Sequence, residues 1–332
     1  MKKFLLLTAL AALTFSSCKK NTTEPAPAMY PTDSVTVAEV TRPLVIETTG
    51  TWCQYCPNGA EIMTILEAAL GDSAVLIASH TGDFFSANNA AATFFNDNFP
   101  TSGVPNFYVN NTDVGQSPAS AAIAATNLNP EFDLTAEVRS VDTALLVYPR
   151  IKARSMVLEG AYMIQSYLIM NGIEARDYGN GIDLNQVSSV PKVSTGSGNV
   201  PTKWTQDAAE LAGIFLIKSG STYTHNEVLA GHATVGSFGW GKSDDAAIQD
   251  STVWKLGVTG LSLADINPLG ASYAEGDIFG TRYTPFHLRI KKPTGLPFTP
   301  DYAVATIIWK LKDDVDVVVA TRTVVFKLPN NG

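Results

Sequence analysis

Residues 52–57 read Trp-Cys-Gln-Tyr-Cys-Pro, and what flanks them restricts the fold more than any other stretch. Leu44-Val45-Ile46 precede them as an apolar run suited to a buried strand, and Ala60 to Leu70 follow with helical spacing. Two cysteines separated by two residues at a strand-to-helix turn form a redox arrangement. At the start of a helix, unpaired backbone N–H groups and the positive end of the macrodipole favour a thiolate on Cys53. Such settings lower a thiol pKa from about 8.5 toward roughly 3.5–7.5. The thiolate is the species that attacks a disulfide, and Cys56, one helical turn on, can close the ring. Two other readings compete. A zinc half-site needs two more ligands, but the one further cysteine, Cys18, belongs to the N-terminal segment and His80, His225, His232 and His287 are scattered. A purely structural disulfide would close a tiny loop and constrain the unfolded chain little.

The strand, Cys-x-x-Cys turn and helix resemble the redox site of thioredoxins. Glu47 stands six residues before Cys53, where thioredoxins keep a buried carboxylate that moves protons to and from the resolving cysteine; the resemblance implies that role for Glu47. Strand alternation alone also allows a solvated Glu47. The helix is expected to bury Ile62, Leu66, Ala69 and Leu70, with Ile65 beside them, and to stop at Gly71. Ala74 to Ser79 reads as a parallel strand, and its crossover completes a βαβ unit. Asn88 to Phe95 reads as a second helix. Pro105 heads the run Asn106-Phe107-Tyr108-Val109. The resemblance implies a cis Val104–Pro105 bond facing the cysteines, with Trp52 and Pro105 as groove walls and the Val104 backbone pairing with a substrate chain. Asn110 to Asp113 reads as a hairpin turn, and Pro118 to Ala125 as a small helix.

The rest of the chain sets the compartment. Lys2 and Lys3 precede an apolar run of twelve, Phe4 to Phe15, too short to span a membrane as a helix. Ser16 and Ser17 then lead to Cys18 in a pattern similar to the lipobox of bacterial lipoproteins, although Phe15 stands where leucine is preferred. The resemblance implies a signal peptide over 1–18, a lipid on Cys18 and an envelope location where disulfides can form. It also leaves Cys53 and Cys56 as the remaining pair. Residues 19–34, with Pro25, Pro27 and Pro31, read as a flexible tether. The net charge of −8 becomes −10 without Lys2 and Lys3. With no basic cluster beyond Lys19-Lys20, this argues against nucleic-acid binding. Apolar residues make up 45% of the chain, enough to bury sizeable cores.

Two folded domains are expected, at 35–130 and 131–332. The first opens on a short strand at Val35, Val37 and Val40. The second turns to period-two alternation at Phe132–Val138, Leu145–Ile151 and Tyr162–Met170, ending at the turn Asn171-Gly172. Tyr302–Leu311 and Val315–Leu328, joined through Asp313-Asp314, read as a terminal hairpin, and the whole as a β-sandwich. Residues 172–203, rich in Gly, Ser, Asn and Pro, read as a long surface loop. His225 and His232 read as polar residues at a strand edge on opposite faces.

Cys18, the 52–57 motif, Val104-Pro105 and a β-rich second half together resemble the twenty-eight-kilodalton outer-membrane-protein-related lipoprotein family. Tyr223-Thr-His225-Asn226-Glu-Val228-Leu229 is similar to a signature of its second domain, with Ala230 where arginine is usual. The resemblance implies an α/β thioredoxin-like domain followed by an all-β sandwich domain, lipid-anchored in the outer membrane and facing the periplasm or cell surface. The expected function is a thiol–disulfide oxidoreductase acting on protein thiols or disulfides of the envelope. Cys53 would attack, Cys56 resolve and Glu47 relay a proton, with no metal and no cofactor. The competing expectation is a binding or structural lipoprotein whose sandwich engages a partner while the cysteine pair is structural or vestigial.

Overall fold

The computed structural model describes residues 42–126, 130–154, 157–158, 161–188, 215–216, 223–238, 252–266, 272–280, 286–312 and 315–326. The stretches read as a leader and a tether, with Cys18, and the strand expected at Val35–Val40 lie outside them.

The apolar run before the cysteines becomes β1 (Leu44–Thr49), buried along its whole length. It pairs in parallel with β2 (Val75–His80), and the crossover runs through α1 (Cys56–Leu70). Gly71, at φ 48°, ends α1. After β2 comes α2 (Ala90–Asn98), whose N-cap Asn89 accepts from the amides of Ala91 and Ala92. The helix therefore begins two residues later than expected. The hairpin β3 (Asn106–Val109) and β4 (Thr112–Gly115) pairs antiparallel with β1 through β3. α3 spans Pro118–Ala125.

The second half is mostly strand: β5 (Phe132–Val141), β6 (Ala144–Ala153), β7 (Ala161–Asn171), β8 (Val228–His232), β9 (Val235–Phe238), β10 (Thr252–Lys255), β11 (Ile278–Phe279), β12 (Phe286–Lys291), β13 (Asp301–Lys312) and β14 (Val315–Phe326). β13 and β14 form the expected terminal hairpin.

These strands make two principal sheets. One is a mixed nine-stranded sheet in the order β14-β13-β7-β8-β2-β1-β3-β4, with Leu261–Ser262 also pairing β7. It does not stop at residue 130. β8 lies parallel to β2 at Val228 and Ala78, so strands from both halves share one hydrogen-bonded layer. The other is a six-stranded antiparallel sheet, β10-β9-β12-β6-β11 with β5 also on β6.

Strand alternation sorts the packing. On β7, Tyr162, Ile164, Leu168 and Met170 face the six-stranded sheet and meet Leu134, Val147 and Leu288 in a common core. Tyr167 and Ile169 point the other way, toward α2. α1 and α3 pack on the β1–β3 part of the sheet through Met63, Leu66, Ala122 and Ala125. α2 covers the opposite face across the seam. Phe95 there touches Tyr167 of β7 and Trp309 of β13, with ring centroids at 5.1 and 5.8 Å, edge to face.

The face of α1 differs from the expectation. Cys56, Gly59, Met63 and the expected Leu66 are buried and Ile62 and Leu70 are half-buried, whereas Ala69 is exposed and Ile65 is 54% exposed. The cause is the close approach of the helix start to β1 at Gly59, which turns that side of the helix inward.

Because Phe95 joins strands of both halves, Phe95→Ala is expected to cost about 3–5 kcal/mol. Urea unfolding followed by circular dichroism is expected to show one transition in wild type, moved to lower urea in the variant. A biphasic wild-type curve would show that the halves unfold separately.

Candidate functional site

β1 ends at Thr49, and the chain turns at Gly50-Thr51-Trp52 before Cys53. The turn closes by Cys53 N–H to Gly50 O at 3.0 Å and Cys56 N–H to Cys53 O at 3.2 Å. Cys56 is the first residue of α1, so Cys53 lies a full turn ahead of the helix and not at its first position. The first turn of α1 carries no acidic residue. Negative charge on sulfur at this end would therefore meet the helix dipole with no carboxylate of that turn opposing it.

Cys53 and Cys56 are joined as a disulfide. Cys53, expected to be the attacking sulfur, is buried at 3% exposure. Trp52 and Tyr55 hold the exposed positions, at 53% and 57%. The Trp52 indole N–H donates to Thr81 O at 2.7 Å, which lays its ring across Gly50. A side chain at Gly50 would stand 2.7 Å from the indole nitrogen. Facing the disulfide is the loop before β3, in which Val104–Pro105 is cis. Val104 O lies 3.5 Å from Cys53 Sγ. Access to the sulfur is through a cavity of about 720 Å³ between the turn, this loop and the end of α2, with Trp52, Cys53, Tyr55, Phe99, Val104 and Val187 in its wall. No side chain of that wall is charged among the described residues.

Glu47 is buried on the face of β1 that carries α1. A Cβ at Gly59 would fall 2.8 Å from Pro105 Cβ and would overlap the Glu47 carboxyl, so only glycine admits the helix here. Burial pushes the Glu47 carboxyl up to about 8, with a hydrogen bond from the Thr49 side chain opposing the shift. Its Oε1 has no hydrogen-bond partner among the described residues.

The second half reaches the site in two places, neither expected from sequence. Residues 184–188 fall in the stretch read as a surface loop, yet Leu184, Gln186 and Ser188 are buried. Gln186 Nε2 donates to Cys53 O at 3.0 Å, and Val187 N–H donates to Thr51 O at 2.9 Å. On the other side, Thr51 N–H donates to Asp83 Oδ2 at 2.9 Å. The polar composition of 184–188 hides this role, because its polar groups satisfy the backbone of the turn that carries Cys53. Residues 189–203 lie outside the described residues.

The second contact is Tyr223–Glu227. His225 lies in the two-residue strand Thr224–His225, consistent with a strand edge, but it is buried, with Nε2 2.9 Å from Leu184 O and its ring 5.8 Å from that of His80. Burial and His80 hold His225 down at about 4. His232 lies on β8, a separate strand. His80 Nδ1 is 2.6 Å from Asp83 Oδ2. Burial would raise Asp83, but the bonds from His80, Thr51 and Ser86 prevail and keep it below the usual carboxylate range. Tyr223 is pushed upward by burial and by Glu47, and Glu227 is raised to about 8 by burial and by Glu67. No group of three or more metal-ligating side chains occurs among the described residues.

The two buried groups give opposite pH dependences. Glu47 binds its proton more tightly folded than unfolded, so it costs stability as pH rises from about 4.5 to 8. His225 stays neutral when folded, so stability falls as pH drops from about 6.5 toward 4. Glu47→Gln is expected to shrink the loss of stability between pH 5 and pH 8, each tenfold difference in proton affinity being worth about 1.4 kcal/mol. Glu227 retains a slope of the same sign. Denaturation series at the two pH values measure the difference. Gly59→Ala, which in an open helix would stabilise by roughly 1 kcal/mol, is expected here to lower the melting temperature.

Comparison with known proteins finds no matching family model and no matching curated protein. Two solved structures are similar in arrangement. HBP35 of Porphyromonas gingivalis is 9% identical, with 90% of this chain and 79% of that chain covered and a TM-score of 0.47. A structural-genomics protein of Agrobacterium tumefaciens is also 9% identical, with 89% and 100% covered and a TM-score of 0.37.

Proposed function

We propose that the chain is a lipid-anchored thiol–disulfide oxidoreductase of the cell envelope, with a thioredoxin-like redox half. The observation that carries this reading is the Cys53–Cys56 disulfide at the start of α1, with Cys53 against Val104 O in the wall of an open, uncharged cavity. A zinc half-site would hold two thiolates, not a disulfide. A purely structural bridge would leave the cavity, the glycine at 59 and the buried acid at 47 without a use.

In the reduced protein, the Cys53 thiolate attacks one sulfur of a substrate disulfide. That S–S bond breaks, a mixed disulfide forms, and one substrate thiolate leaves. Cys56 then gives its proton to the Glu47 carboxylate and attacks Cys53 Sγ, releasing the second substrate thiolate. Two electrons pass from the protein dithiol to the substrate disulfide. The reverse sequence oxidises a substrate dithiol, and Glu47 then returns its proton to Cys56. A Glu47 pKa of about 8 lies close to that of an ordinary thiol, which suits proton exchange in both directions. The uncharged wall suits an uncharged stretch of polypeptide beside the reacting cysteine, and Trp52, Val104 and Pro105 would form the groove. Cys18 would tie the protein to the outer membrane.

Cys56→Ser is expected to accumulate mixed disulfides with envelope proteins, visible as adducts that a reductant removes. Cys53→Ser should give none. A Cys56→Ser protein that traps no partner, together with a purified wild-type chain that does not exchange with a model disulfide, would overturn the reading.

A further inference from the structure

Glu47 is an acid whose surroundings come from four elements. β1 carries it, α1 covers it at Gly59, and β2 adds Ala78 and His80. The remaining side is closed by Tyr223–Glu227 of the second half. Between these elements lies a cavity of about 80 Å³ whose wall includes Glu47, Glu67, Gln186, Tyr223, His225 and Glu227. A water needs roughly 10–15 Å³ and polar partners, so this space suits water. Its inner wall is buried at Glu47, Tyr223 and His225, and its outer wall is exposed at Glu67 and Asn226. The cavity therefore has the buried acid at one end and solvent-facing groups at the other. The same half also holds the redox turn: Gln186 donates to Cys53 O, and the Tyr223 hydroxyl reaches Gln186 Oε1 at 3.5 Å.

We propose that Gln186 and residues 223–227 are a working part of the redox site, walling the narrow water path by which Glu47 exchanges its proton with solvent, with Tyr223 as the positioning residue that keeps bulk water out. The proposal rests on the redox reading of Cys53 and Cys56.

The path serves reduction of the disulfide. The thiolate of a dithiol reductant attacks Cys53 Sγ, the Cys53–Cys56 bond breaks, and Cys56 leaves as a thiolate. Cys56 takes the proton of the Glu47 carboxyl. The reductant's second thiolate attacks its own bridged sulfur, releases Cys53 as a thiolate and completes a two-electron transfer. Glu47, now a carboxylate, regains a proton through the water path. The titratable groups facing Glu47 are Glu61 and Glu67 from α1, His80 from β2, and Tyr223, His225 and Glu227 from the second half. His80 is paired with Asp83, and burial keeps His225 uncharged at neutral pH. The three glutamates favour a protonated Glu47 whenever they are ionised. Widening the Tyr223 wall would let water solvate the carboxylate and move its titration down toward the ordinary range.

The test uses the full chain as wild type, Tyr223→Ala, Tyr223→Phe, Glu47→Gln, and Tyr273→Ala as a control in the distant sandwich core, where Tyr273 is buried. The glutamate carboxyls are labelled with carbon-13 and titrated by NMR, the resonance missing in Glu47→Gln being that of Glu47. In parallel, the rate of disulfide reduction by dithiothreitol is measured from pH 5 to 9 and expressed per thiolate. In wild type the Glu47 resonance and the rate are expected to turn at the same pH, near 8. Tyr223→Phe keeps the ring and should leave both in place. Tyr223→Ala should move both down by at least about one pH unit, and Tyr273→Ala should move neither, even with an equal loss of stability. If Tyr223→Ala does not fold, Tyr223→Leu carries the same expectation at smaller size. A Glu47 titration unmoved by either truncation overturns the proposal while exchange by wild type leaves the redox reading standing. Wild type that never exchanges thiols overturns both, whatever the NMR titration shows.

Discussion

The pairing of β8 with β2 is the contact on which the rest of the molecule turns. Its core is small: Val228 opposite Ala78, and Ala78 N–H to Glu227 O at 2.7 Å. Yet it occupies the edge that β2 would otherwise expose, and an open edge of unpaired N–H and C=O groups is a liability. It makes the strands β14, β13, β7 and β8 continuous with the sheet that carries the cysteines. It also lowers the segment just before β8, Tyr223–Glu227, onto the buried side of α1. Two further contacts lock the seam. Asn89, the N-cap of α2, donates its side chain to Leu229 O at 2.8 Å. Phe95 of the same helix sits between Tyr167 and Trp309.

Around the disulfide the chain gives up stability. A carboxyl buried without charged compensation costs free energy whenever pH favours its ionised form. Glu47 accepts that cost in a pocket that includes further glutamates and a neutral histidine, where a cation would have lowered its pKa. Gly59 gives up helix propensity so that this carboxyl and Pro105 can lie against the backbone of α1. The turn itself is held by groups far away in sequence: Asp83 on one side, Gln186 and Val187 on the other. Held at both sides, the disulfide places Cys53 in the wall of the cavity beside Val104.

Local patterns carried much of this architecture. The Leu44–Ile46 run, the Cys-x-x-Cys turn and the Ala60–Leu70 spacing placed β1 and α1, and Gly71 ended the helix, because strand burial, capping and helix periodicity act within a few residues. Pro118–Ala125 and the terminal hairpin were legible for the same reason. Where several elements compete for one surface, the pattern misled. Ile65 looked like core but faces solvent, since the rotation of α1 is decided by what Gly59 meets. His225 looked like an edge residue but is buried between the two halves.

From its sequence alone this chain determined a Cys-x-x-Cys pair, the strand and helix that flank it, and a β-rich second half. Tertiary structure alone decided that this half is built into the site. Gln186 donates to a carbonyl 133 residues away. A polar residue in a Gly- and Ser-rich stretch carries no local mark of such a partner. Hydrogen-bond satisfaction in the interior is set by which backbone groups the folded sheet brings within about 3 Å, and that proximity exists only once β8 has found β2.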